Sequence, residues 1–178
     1  MTHEEAHETV RGWFTGRLPQ EWFTGPVDIS IDREEILIVG PLATPETGEG
    51  VSDAEQSAAV DGRIKAFRED TRDRRIAIAR EAEHRFGRKV AWGVDCDGRR
   101  SLFTHLSVPV MTRLRQPERR VLDTLVEAGV ARSRSEALAW AVRLVGQHSE
   151  DWLRELREAM EQVRRVREQG PESTGEPA

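Results

Sequence analysis

Arginine is the residue type whose placement in this chain points to a chemistry. Residues 106–149 carry seven Arg against four carboxylates, a balance of +3. Residues 1–105 stand at −5 and residues 150–178 at −3. The whole chain has a formal net charge of −5, so no global basic surface advertises nucleic acid. A single net-basic segment still supplies the local field that attraction to phosphate requires. Arginine dominance as such carries no message, since of the 27 basic residues only Lys65 and Lys89 are lysine, a bias that genome composition can impose everywhere.

Other residues offer weaker chemistry. His3-Glu4-Glu5-Ala6-His7 matches the H-E-x-x-H spacing, two imidazoles one helical turn apart with a Glu between. A zinc hydrolase needs that helix deep in a domain with a third ligand, whereas these residues stand at the very start of the sequence, so an exposed polar first turn is the expectation. Cys96 is the only cysteine. It excludes an intrachain disulfide, suits a reducing cytoplasm and has no His at useful spacing, so an inert thiol is expected. Arg72, Arg74 and Arg75 interleave with Glu69, Asp70 and Asp73 and read as a solvated, salt-bridged face. His84, Asp95 and Asp97 complete the residues that invite a site. No catalytic constellation emerges, and neither enzyme activity, cofactor nor metal is expected.

The elements that position the basic segment can be read locally. Val108, Val110, Thr112 and Leu114 alternate with Pro109, Met111 and Arg113, the period of a strand with one buried face. Pro117 suits a first helical turn. Val121, Leu122, Leu125 and Val126 follow at helical spacing, and Gly129 is placed to end that helix in a left-handed conformation. Ser133 with Glu136 forms a capping box for a second helix, whose stripe is Ala137, Leu138, Ala141, Leu144 and Val145. One strand and two short helices cannot bury this much apolar face, and a lone strand leaves its ladder unpaired. A second chain supplying the same strand antiparallel solves both problems.

With its Arg113-Leu114 ending, its Leu122-Asp123-x-Leu125-Val126-x-x-Gly129 helix and its Ser133-Arg134-Ser135-Glu136-Ala137 opening, the stretch at residues 106–147 resembles the ribbon-helix-helix DNA-binding fold of the Arc/MetJ/CopG type. The resemblance implies a homodimer, or a higher even oligomer, that lays a two-stranded ribbon in the major groove of double-stranded DNA. Met111 and Arg113 would contact bases, Arg113 as the guanine reader. Arg115, Arg119, Arg120, Arg132, Ser133, Arg134 and Ser135 would contact phosphate, the last three around a helix N-terminus. The function implied is a transcriptional regulator or repressor. Pro109 and Met111 depart from good base readers, and the segment follows about 100 residues instead of opening the chain. These departures keep an alternative open: an antitoxin-like or purely dimerising scaffold whose terminal regions bind a partner protein.

The rest of the chain divides around this segment. Residues 1–105 read as an α+β domain of hairpin, long helix and hairpin. Val27, Ile29 and Ile31 face Ile36 and Ile38 across Asp32-Arg33-Glu34-Glu35. A loop spans residues 41–52, and a helix with Val60, Ile64, Phe67, Ile78, Ala82 and Phe86 in its stripe runs from near Ser52. Val90, Trp92 and Val94 lead to an Asp97-Gly98 turn. Trp13-Phe14-Thr15-Gly16 and Trp22-Phe23-Thr24-Gly25 read as turns that pin aromatic rings against a core. Residues 106–148 form the ribbon-helix-helix segment. Residues 149–168 form a third helix with Trp152, Leu156, Ala159, Met160 and Val163 in one stripe and Arg154–Glu158 and Glu161–Arg165 pairs. Residues 169–178 read as a disordered tail. No run approaches membrane-spanning length and no signal-peptide core is evident, so a cytoplasmic location is expected.

Overall fold

A computed structural model of the chain describes residues 3–48 and 50–169, with backbone only for His3, Glu4 and Gln169. Of the expected tail at 169–178, Gln169 instead ends a helix, and residues 170–178 lie outside the described residues. The chain is α+β, with six helices and a four-stranded sheet among the described residues. It divides into two units, residues 1–109 and 110–178, where the sequence reading set the boundary after residue 105. Among the described residues no helix is long and apolar enough to cross a membrane.

In the first unit the Asp32 carboxylate accepts from the amides of Glu34 and Glu35 at 2.9 and 2.7 Å. That local turn folds β1 (Asp28–Ile31) onto β2 (Glu35–Pro41). Asp97 and Gly98, both at positive φ (53° and 73°), fold β3 (Lys89–Cys96) onto β4 (Arg99–Leu102) in the same way. β2 and β3 then pair in parallel, giving the order β1-β2-β3-β4. The register sets Ile36 beside Val90 and Ile38 beside Trp92. These four share one buried cluster with Val94 and Cys96.

Between the hairpins stand two helices rather than the single long one expected: α2 (Asp53–Asp70) and α3 (Arg72–Phe86). The break at Thr71 has a side-chain cause. Thr71 Oγ1 donates back to the Phe67 carbonyl at 2.6 Å. The Arg75 guanidinium donates to Thr71 Oγ1 and to the Arg68 carbonyl at 2.9 and 2.7 Å. The Arg68 carbonyl, which the broken ladder would strand, is thereby satisfied. Arg75 is buried, with its guanidinium 4.9 Å from the Phe103 ring centroid, which corrects the reading of residues 68–75 as a wholly solvated face.

A second correction lies at the start. Trp13 and Phe14 belong to a helix, α1 (His3–Arg17), which carries Gly16 in its last turn. Val10 and Phe14, one turn apart, enter the core together. Phe14 meets Trp13 edge-on at 4.8 Å. Trp22 in the following loop meets Phe67 and Trp92 edge-on at 5.8 and 6.1 Å. The rings serve the core as expected, but only the second pair does so from a loop.

The second unit comprises α4 (Gln116–Glu127), α5 (Arg134–His148) and α6 (Glu150–Gln169). Gly129, at φ 75°, ends α4 in a Schellman arrangement: its N–H bonds the Val126 carbonyl and that of Val130 bonds the Leu125 carbonyl, both at 3.0 Å. Leu122, Ala131 and Ala137 are buried here, and Leu114, Leu125, Val126 and Leu138 pack against them half-exposed. Leu122 is thus covered within one chain, without a second copy. The expected ribbon strand is absent from the single chain, where residues 104–115 form no ladder. Val110 and Met111, 82% and 96% exposed, have no neighbouring segment to pack against among the described residues.

Candidate nucleic-acid interface

The candidate site is built from the segment that leads into α4 and the turn between α4 and α5. Leu114 packs inward on the small core, and Arg119 Nη1 donates to its carbonyl at 2.7 Å, which fixes the corner at which the chain enters α4. Pro117 occupies the first helical turn, where its missing N–H costs nothing. Arg113, adjacent to the inward Leu114, is exposed, as are Arg115 and Arg120. The side chains of Arg113, Arg115, Arg120 and Arg132 make no hydrogen bond or ion pair among the described residues, whereas Arg119 is committed to the backbone.

The N-terminus of α5 carries a modified capping box. Ser133 Oγ accepts from the Glu136 amide at 3.2 Å. The Glu136 carboxylate reaches one residue further back than the usual partner and accepts the Arg132 amide at 2.7 Å. The amides of Arg134 and Ser135 are left as the helix-start donors with no partner among the described residues. Ser133 and Ser135 are exposed beside them, and the Glu136 carboxylate tempers the positive end of the dipole.

Arg134 is the residue the structure redefines. Its Nε and Nη2 meet the two carboxylate oxygens of Asp123 at 2.7 and 2.8 Å, a bidentate fork that ties α5 to α4. The bond to Arg134 holds the Asp123 carboxyl below its ordinary range, and the same bond raises the Arg134 guanidinium. Asp123 was not among the site residues read from the sequence. Its signal is an acid and a base on consecutive helices either side of a glycine turn, which speaks only once the turn is known to fold the helices together.

The other candidates do not assemble into a site. Among the described residues no three His, Cys, Asp or Glu side chains gather where an ion could bind, and the side chains of His3 and Glu4 lie outside the description. Cys96 is buried, and burial, ahead of the Asp97 charge, pushes its thiol pKa up, away from a reactive thiolate. Asp95 lies 3.9 Å from Arg100, and Asp97 accepts from Gln56 at 3.3 Å. His84 is exposed on α3. Arg74 pairs with Glu21 at 2.8 Å.

Comparison with known proteins gives two adjoining family matches. Residues 8–102 match the N-terminal domain of the Rv1265-like proteins, and residues 115–167 match the Mb1296 C-terminal domain. The chain is similar to protein Mb1296 of Mycobacterium bovis and to protein Rv1265 of Mycobacterium tuberculosis, both described as uncharacterized proteins. Each is 57% identical over 160 residues, which cover 90% of this chain and 69% of the relative. No solved structure gives a significant match.

Proposed function

The chain belongs to the family of Rv1265-like proteins, and within it we propose a dimeric DNA-binding regulator whose residues 106–148 act as a ribbon-helix-helix. One observation carries this reading. The α4–α5 pair keeps its Gly129 and Ser133 caps, yet the segment before it joins no helix or sheet and leaves Val110 and Met111 in solvent. A second copy laid antiparallel along residues 108–114 would pair the ladder and cover that face. The paired ribbon would present Arg113 and Met111 to the major groove, Arg113 as a bidentate donor to guanine. Arg115, Arg120, Arg132 and the Arg134 guanidinium, together with the Arg134 and Ser135 amides, would hold the backbone phosphates that fix register.

The test is a titration of wild type and Arg113→Ala on a selected operator and on scrambled duplex. A loss of about 1–3 kcal/mol confined to the operator is expected. Equal losses on both duplexes would make Arg113 a phosphate contact, and no binding to any duplex at low salt would end the DNA reading.

The Asp123–Arg134 fork favours a second reading. With Arg134 and Arg119 already bonded inside the chain, the segment would dimerise without reading DNA, as in an antitoxin-like scaffold, and the terminal regions would bind a protein. Retained dimerisation with no salt-dependent DNA affinity is the outcome this second reading expects.

A further inference from the structure

Helix α6 carries an apolar seam that its own chain leaves uncovered. Trp152, Leu156, Ala159, Val163 and Val166 recur at intervals of four and three residues, the heptad spacing of a coiled coil. Trp152 is 57% and Val166 64% exposed, and Leu156, Met160 and Val163 are exposed beside them. Outside the seam the helix is charged, with Arg154 bonded to Asp151 and Glu158 and Arg164 to Glu161, all along its own surface.

We propose that α6 pairs antiparallel with the α6 of a second copy of this chain. Charge chooses the direction. Residues 150–159 hold four carboxylates and two Arg, a balance of −2, whereas residues 160–169 hold two carboxylates and three Arg, a balance of +1. Antiparallel pairing sets the acidic half of each helix against the basic half of the other, and it opposes the helix dipoles. Side-chain size agrees. In the antiparallel register centred between Arg157 and Glu158, Leu156 meets the small Ala159 of the second copy and Trp152 meets Val163. Leu153 then faces Met160 along one edge. A parallel pair would instead stack Trp152 on Trp152, Ala159 on Ala159, and like charge on like. This pairing does not depend on the ribbon or on DNA.

Cysteine cross-linking in the full chain tests it, since the native Cys96 is buried and gives a low background. Under mild oxidation the Leu156→Cys/Ala159→Cys double variant should convert to a band of doubled mass. Leu156→Cys and Ala159→Cys alone should stay monomeric on the gel, because neither position meets itself. Circular dichroism confirms that each variant keeps its helices. Efficient cross-linking of Leu156→Cys alone would establish the parallel arrangement and overturn the proposal. So would failure of the folded double variant to cross-link, which would leave the seam to a different protein.

Discussion

Arg134 can serve DNA or Asp123, and two substitutions separate those roles. Its Nε and Nη2 already sit 2.7 and 2.8 Å from the Asp123 carboxylate, so a phosphate must share or displace that anion. Asp123→Asn removes the competing charge and leaves an amide oxygen that still accepts one N–H. Across a dimer it removes two negative charges beside the proposed phosphate sites, so affinity for any duplex should rise at low salt. Arg134→Ala removes one phosphate contact per protomer. Each contact contributes about 0.9 to the slope of log K against log salt, so the dimer's slope should shrink by about 1.8. Over a tenfold rise in salt the variant would then lose about 60-fold less affinity than wild type. Fluorescence anisotropy with one labelled duplex at several salt concentrations reads both quantities, and urea unfolding of the same samples reads stability. If both variants shift the unfolding midpoint equally and leave the slope unchanged, Arg134 is a strut between α4 and α5, and its phosphate role is wrong.

Other perturbations test the frame. Because Arg134 holds the Asp123 carboxyl below its ordinary range, the fork's stabilisation is present above the unfolded-state value of about 3.9 and is lost as pH falls through the lower folded value; unfolding curves of wild type and Asp123→Asn should converge in that acid window. Phe14→Ala empties a site fully enclosed by the first core and should cost about 3–5 kcal/mol in urea unfolding. Gly40→Ala would drive a methyl group into the Phe23 ring and should cost about 1–3 kcal/mol by the same measurement. Cys96 should resist a thiol reagent at pH 8 in the native protein and react at once in urea, since burial keeps its thiol protonated.

What the sequence showed and hid follows the range of the interactions. Asp97-Gly98, Asp32 before Glu34 and Glu35, Gly129 after Val126, and Ser133 before Glu136 each satisfy backbone groups within five residues, so composition alone located those turns and caps. The parallel pairing of β2 with β3 escaped notice because nothing local records which strand a crossover returns to. The break at Thr71 was hidden for a related reason: Arg75 rescues the Arg68 carbonyl from seven residues away, and its burial needs the Phe103 ring from another element. Trp13 and Phe14 looked like turn residues because Gly16 and Pro19 follow closely, yet Val10 and Phe14 carry the helical spacing that wins. On α6, Glu161 bonds Arg164 rather than Arg165, since both lie within a turn and spacing cannot choose between them.

The two units differ in how they meet the cost of ordering a chain. The first closes its own core, with Phe14, Ile36, Ile38, Ile78 and Val94 almost wholly out of solvent. The second buries Leu122, Ala131 and Ala137 and leaves Val121, Val142, Val145 and the α6 seam in water. The turn between α4 and α5 is well capped by Gly129 and Ser133, but caps satisfy polar groups and do not supply apolar burial, and an isolated helix as short as α4 is marginal in water. In the assembly proposed here the missing burial comes from a second copy. Residues 108–114 and the α6 seam ask for it in different ways, one with a backbone that joins no sheet and the other with side chains alone. A single foreign helix could cover the seam but not the ladder, and a second copy of this chain offers a strand and a helix together. That is why self-association, rather than capture by an unrelated helix, is the assembly from which both proposals start.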